Sequence, residues 1–185
     1  MSDNRREFRF KITVIGDGCV GKTSLIKQFT KGSFNKDYIR TIGAQFSKYE
    51  KEIENDQIRL LFWDIAGQDD FNFLRPSFFR ESRAAIIVYT LEENQLGKDS
   101  FDHIENWHND IIQFCGEIPV ALFANKVDLI NEEELDIERL QKVVDDRKFL
   151  GYYITSAKTG QGVTQAFNDI IEHLYYENRE LSSLL

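Results

Sequence analysis

The sequence predicts an α/β fold, a six-stranded and mostly parallel sheet with helices on both faces, and three observations carry that expectation. Apolar runs rich in β-branched and aromatic residues alternate with segments of helical period, the pattern of a sheet covered on both sides. The connection Glu54-Asn55-Asp56-Gln57 is too short for a crossover helix, so the strands it joins form an antiparallel hairpin with one antiparallel edge strand. With 185 residues, 42% hydrophobic content and no break in composition, the chain reads as a single domain over 1–185, its core spanning about 8–178. A short polar lead and a C-terminal tail flank that core.

Strands are expected at 8–15, 46–53, 58–65, 85–91, 120–124 and 152–155, each a short run dense in β formers. Helices are expected at 23–29, 101–114, 137–148 and 163–178, with a short one at 76–81. Two longer irregular stretches remain, 30–44 and 66–75, and loops of that size in a compact domain are usually functional.

Fifteen Phe and seven Tyr against two Pro describe an ordered chain. The formal net charge of −8 disfavours a nucleic-acid role, which needs a concentrated basic field. The densest basic run, Arg5, Arg6, Arg9 and Lys11, reads as the solvated start of the first strand. Cys19 and Cys115 lie far apart and lack metal-ligand spacing, so neither a disulfide framework nor a zinc site is expected, and a reducing, cytoplasmic setting fits. The opening Met1-Ser2-Asp3-Asn4 shows no apolar signal segment or myristoylation glycine, and no run approaches transmembrane length.

Directly after the first strand comes Gly16-Asp17-Gly18-Cys19-Val20-Gly21-Lys22-Thr23, which matches the phosphate-loop spacing G-x-x-x-x-G-K-[ST]. Its glycines let backbone N–H groups converge on phosphate oxygens, and the following helix presents its positive end. Lys22 supplies a point charge to the terminal phosphates, and the Thr23 hydroxyl is suited to magnesium. Cys19 is better read as a small loop residue than a nucleophile, since no base adjoins it in sequence.

Asn125-Lys126-Val127-Asp128 follows the fifth strand and Ser156-Ala157-Lys158 the sixth, at the carboxyl ends where such sheets bind ligands. Guanine offers a ring N–H and an exocyclic amine, and the Asp128 carboxylate accepts from both at once. Adenine has no such donor pair and would leave that carboxylate unsatisfied, so guanine is the expected base.

These motifs occur in the order of the Ras superfamily of small GTPases, and the sequence resembles that family from about residue 8 to about 176. The resemblance implies the G domain of P-loop NTPases and a switch that binds GTP and GDP with Mg2+ and hydrolyses GTP slowly. It places Gly18, Cys19, Val20, Gly21, Lys22, Thr23 and Ser24 around the phosphates, and Asn125, Lys126, Asp128, Leu129, Ser156, Ala157 and Lys158 around the base. Thr41, in Thr41-Ile42-Gly43, would close onto magnesium and the terminal phosphate, Phe34 would pack on guanine, and Tyr38 would stand near the phosphates. Asp64-Ile65-Ala66-Gly67-Gln68 resembles the second switch, which implies that Asp64 would hold magnesium through water, the Gly67 amide would sense the terminal phosphate, and Gln68 would orient the attacking water. Gln68, Lys22 and Thr41 are thus the expected catalytic residues, and Thr23, Thr41 and Asp64 the metal set. Ile65 stands where the family has Thr, a change of packing more than of chemistry.

Within the superfamily, Ile42-Gly43-Ala44-Gln45-Phe46, Arg59-Leu60-Leu61-Phe62-Trp63 and Phe78-Phe79-Arg80-Glu81-Ser82 resemble Rab signatures. Asp69-Asp70 and Thr90 depart from that pattern, and the stretch 92–99 is about four residues longer than in Rabs, which reads as a tolerated surface insertion. Rabs carry a prenylated tail, but no Cys follows Cys115: either the sequence stops short of such a tail or the protein has none. The implied partners are guanine nucleotide and, at the switch loops, an exchange factor, an activating protein and effectors, with a monomer expected. No arginine aligns with a built-in finger, Arg40 beside Thr41 being the nearest candidate.

A scaffold that binds nucleotide but hardly turns over would suit Ile65, yet Thr41 and Gln68 argue for hydrolysis. An ATP-using kinase or transporter ATPase would share the phosphate loop, and Asp128 opposes it. His103, His108 and His173 fall in helical segments and read as solvent-facing. Phe46, Trp63 and Phe78 align with the aromatic triad that Rabs use for effector contact, ordinary core being the alternative.

Overall fold

Strand β1 (Glu7–Ile15) runs through the middle of the sheet, parallel to β3 (Asp56–Ile65) on one side and to β4 (Ala84–Thr90) on the other. In this computed structural model, residues 5–34, 41, 43–66 and 75–183 are described. The sheet has six strands in the order β2-β3-β1-β4-β5-β6, with β2 (Ala44–Ile53) antiparallel at the edge and β5 (Val120–Asn125) and β6 (Gly151–Thr155) parallel. Every residue of β4 and β5 is buried, because helices cover both faces, and this is why both strands read as unbroken apolar runs.

On one face, α1 (Lys22–Lys31) and α6 (Val163–Ser183) close a core containing Leu25, Phe62, Phe123, Phe167 and Ile171. Phe167 organises it, stacking on Phe29 at 4.5 Å and meeting Phe62 and Phe123 edge-on at 5.3 Å. Truncating such a ring to alanine costs about 3–5 kcal/mol. On the opposite face, α2 (Arg75–Phe79), α4 (Ile104–Cys115) and α5 (Ile137–Arg147) bring Phe79, Trp107, Ile111 and Leu140 against Ile87 and Leu122.

The hairpin forms as expected but with a shorter turn. Asp56 and Gln57 already belong to β3, and Glu54 and Asn55 at φ 48° and 71° make the two-residue connection. Positive φ at both positions is what a type I′ turn demands, and its twist matches that of the strands.

The helix expected at 101–114 is α4, which begins at Ile104, and a further helix that the sequence did not suggest precedes it. Helix α3 (Gln95–Asp102) ends at His103, whose φ −81° and ψ −4° break the path before α4 begins. The start of α3 lies within 92–99: Asn94 caps it, its side chain accepting from the Gly97 amide at 3.0 Å, and Gly97 is buried in the turn. The stretch is polar and lacks apolar periodicity, which hides the helix from the sequence pattern.

The basic run is not merely solvated. Arg6 donates to the buried Asp56 carboxylate at 2.8 Å, Tyr175 of α6 donates to the same oxygen at 2.9 Å, and Lys11 lies 4.2 Å over the Trp63 ring while donating to the Arg80 carbonyl. Nor is His108 solvent-facing: it is half-buried, edge-on to Phe149 at 4.9 Å, with Nδ1 unpartnered among the described residues. His173 is exposed as expected. Cys19 is exposed, Cys115 is partly buried, and no disulfide joins them. No described helix is long and apolar enough to cross a membrane.

Candidate functional site

Three loops meet at the carboxyl ends of β1, β5 and β6. The first, from Gly16 to Gly21, turns β1 into α1. Gly16, at φ 136°, packs so close to β4 that a Cβ would stand 2.0 Å from the Val88 carbonyl oxygen. Gly21, at φ 102°, is the N-cap of α1 and leaves no room for a Cβ beside Asn125. Both positions therefore need glycine. Around Gly18 a Cβ would meet nothing within 4 Å, so the loop is open there.

Helix α1 has no side-chain cap and no acidic residue in its first turn. Its leading N–H groups and positive end thus face the loop, an arrangement suited to an anion. Lys22 is only 6% exposed and folds back, its ammonium donating to the carbonyls of Gly16 at 2.7 Å and Asp17 at 2.6 Å. Val20 is buried, while Cys19 is exposed with φ 64° and Ser24 is half-buried.

Beside this cradle three oxygens converge. The Thr23 hydroxyl donates to Asp64 Oδ2, Thr41 Oγ1 lies 2.9 Å from Thr23 Oγ1, and it reaches the same carboxylate oxygen at 3.3 Å. Asp64 is 3% exposed, and its other oxygen, Oδ1, has no partner among the described residues. Burial raises the Asp64 carboxyl above its ordinary pKa, an effect that Thr23, Lys22 and Thr41 only partly oppose. A buried carboxylate oxygen left without a donor calls for a cation, and one carboxylate with two hydroxyls is a hard-oxygen set. The residues present therefore fit magnesium.

The second and third loops form the base end. Asn125, 1% exposed, donates through Nδ2 to the Val20 carbonyl at 2.8 Å, while its Oδ1 accepts from the Ala157 amide at 3.2 Å. Lys126 takes a left-handed backbone, φ 70°, and a 3-10 turn, Val127–Leu129, presents Asp128 with Leu129 exposed beyond it. Asp128 Oδ1 accepts from Ser156 Oγ at 2.6 Å, and Oδ2 lies 3.2 Å from the Lys158 ammonium. Burial would raise the Asp128 carboxyl, but Ser156 and Lys158 outweigh it and hold the group below its ordinary pKa, so it is ionised at neutral pH.

The sequence-predicted residues of the phosphate loop, Thr41, Asp64 and both base loops thus gather at one end of the sheet, and Phe34 is exposed just after α1. Tyr38, Arg40, Gly67 and Gln68 lie outside the described residues. Sequence reasoning missed three supports. Trp107 Nε1 donates to Asp17 Oδ1 at 2.8 Å, His103 Nδ1 stands 2.7 Å from Asp17 Oδ2, and Glu92 pairs with Lys126. Each joins residues remote in sequence, and no local pattern announces them.

A family model described as the Ras family matches residues 11–176. The Ras-related protein Rab-21 of Bos taurus is 34% identical over 170 residues, covering 91% of this chain and 74% of the relative. The proteins of that name from Homo sapiens and Mus musculus are each 33% identical over 170 residues and 91% of this chain, covering 73% and 74% of their own lengths. Phosphate loop, base loops and the Thr23–Asp64 pairing stand inside the matched span, and the chain belongs to the Ras family, as a Rab-like small GTPase that binds GTP and GDP with Mg2+ and hydrolyses GTP.

Proposed function

We propose that this GTPase holds its nucleotide along the line from Asp128 to the amino end of α1 and acts as a switch through Thr41, Gly67 and Gln68. The observation that carries the reading is the unpartnered Asp64 Oδ1 beside Thr23 and Thr41, next to the amino end of α1, which has no side-chain cap and no acidic residue in its first turn. Thr23, Thr41 and Asp64, the last through water, would hold the magnesium, which when bound withdraws charge from the phosphate oxygens. Lys22 exchanges its carbonyl partners for terminal-phosphate oxygens, and the loop amides receive the remaining charge. Asp128 accepts from both guanine donors, Ala157 lines the base pocket, and Phe34 lies over the ring. Gln68 orients the attacking water, whose oxygen bonds the γ-phosphorus as the bond from that phosphorus to the β–γ bridging oxygen breaks, giving GDP and inorganic phosphate that takes up the water's proton. Loss of that phosphate frees Thr41 and Gly67, which releases the switch loops.

Rab-like GTPases work through regulators and effectors, and we place this one in membrane trafficking, as a monomer whose partners meet Phe46, Trp63 and Phe78. Phe46 is 65% exposed and its ring lies 6.1 Å from Trp63, which lies 5.7 Å from Phe78. The exposed end of the row at Phe46, with Trp63 and Phe78 half-buried behind it, favours the partner surface over ordinary core.

Asp128→Asn tests the base assignment. The amide puts a donor opposite a guanine donor, so GTP and GDP affinity should fall at least about a hundredfold while thermal unfolding is little changed. Unchanged affinity for both nucleotides would remove the assignment.

A further inference from the structure

We propose that Glu92 is a positioning residue for Lys126 and thereby sets how long guanine nucleotide stays bound, an inference that rests on reading Asn125, Lys126 and Asp128 as the base end of the site. Glu92 Oε2 lies 2.5 Å from Lys126 Nζ and accepts from the Thr90 hydroxyl at 3.1 Å. The two side chains are 23% and 25% exposed, so the pair is shielded from most of the solvent that weakens surface ion pairs.

Glu92 is itself held fast. Its carbonyl accepts from the Asn94 amide at 2.9 Å, and Gly97 packs so tightly on that oxygen that a Cβ would stand 1.9 Å away. Asn94 in turn caps α3. The carboxylate therefore projects from the anchored start of a helix. Burial would raise its pKa, but Lys126, Thr90 and Asn94 outweigh this and keep it ionised.

Lys126 sits between Asn125, bonded to the phosphate loop, and the turn carrying Asp128. An ammonium has three donors, so one bond to Glu92 leaves two for the nucleotide. A long lysine chain fixed before binding does not have to be ordered by the ligand, and such preorganisation acts mainly on the release rate.

The test is a kinetic cycle on the full chain. Release of a fluorescent GDP analogue, chased by excess GDP in magnesium, is timed for wild type, Glu92→Gln, Lys126→Met and the double variant. Glu92→Gln should speed release about three- to tenfold, and the double variant should release no faster than Lys126→Met alone. The ratio between Glu92→Gln and wild type should change little as salt rises, because the pair is shielded, and the non-additivity of the cycle is the response that a purely structural role would not give. Glu92→Asp, with the charge kept but the reach shortened, should fall between the two and serves as the second variant. If Lys126→Met speeds release but Glu92→Gln does not, or if their effects multiply, the inference is overturned while the base reading stands. If Lys126→Met itself changes nothing, the base reading and the inference fall together.

Discussion

The side chain of Asn125 donates to the main-chain carbonyl of Val20 across 2.8 Å, so the first residue of the base motif is bonded to the middle of the phosphate loop. Its Oδ1 accepts from the Ala157 amide and the Thr155 hydroxyl, which ties in the third loop. One buried amide thus joins the three loops of the site, and its energetic role follows from the partners it would abandon.

Asn125→Ala leaves the Val20 carbonyl and the Ala157 amide without that partner. Each unsatisfied buried group costs about 1–3 kcal/mol, so urea denaturation should show a loss of about 2–6 kcal/mol, with weaker binding of GTP and GDP alike. A variant as stable as wild type would mean that the loops are held independently.

Asp17 of the phosphate loop lies against His103, and the pair predicts a pH response. The hydrogen bond that His103 donates to the Asp17 carboxylate raises the imidazole pKa above 6.5, burial opposing and the charges of Asp17, Asp99 and Asp102 assisting. A raised imidazole contributes stability that is fully present below about 6.5 and lost as pH rises through the raised value. An NMR titration should find His103 above its ordinary pKa, and Asp17→Asn should move it back. A His103 resonance indifferent to Asp17→Asn would show that the contact does not persist in solution.

The aromatic row separates surface from core. Phe46→Ala removes an exposed ring and should cost less than about 1 kcal/mol in folding while abolishing GTP-dependent capture of a partner. The checks are thermal unfolding beside pull-down with a GTP analogue against GDP. Loss of folding instead would make the row core.

What was legible in the sequence is what fixed spacing encodes. Gly16, Gly21, Lys22 and Thr23 must stand at set intervals to bring amides, charge and hydroxyl to one anion, and Asp128 must follow a strand end, so these positions are visible without coordinates. β4 and β5 were legible because burial on both faces leaves unbroken apolar runs. α3 was not, since Asn94 and Gly97 begin it without an apolar stripe. Arg6 looked solvated because nothing nearby foretells Asp56, 50 residues on, which the strand register brings opposite. Trp107 to Asp17 and Glu92 to Lys126 span 90 and 34 residues, and pairs of that kind emerge only from the fold.

The central claim is that the Thr23, Thr41 and Asp64 cluster and the phosphate loop present GTP to a water oriented by Gln68. Single-turnover decay of GTP in magnesium tests it, comparing wild type with Gln68→Leu. Positioning and charge stabilisation without a supplied arginine give about 10⁻⁴ to 10⁻³ per second in this class, and Gln68→Leu should lower that rate while leaving GTP affinity nearly unchanged, because leucine cannot hydrogen-bond water. Equal rates in the two proteins would contradict the assignment of Gln68, and fast wild-type turnover lost in Arg40→Ala would show instead that the chain carries its own arginine finger.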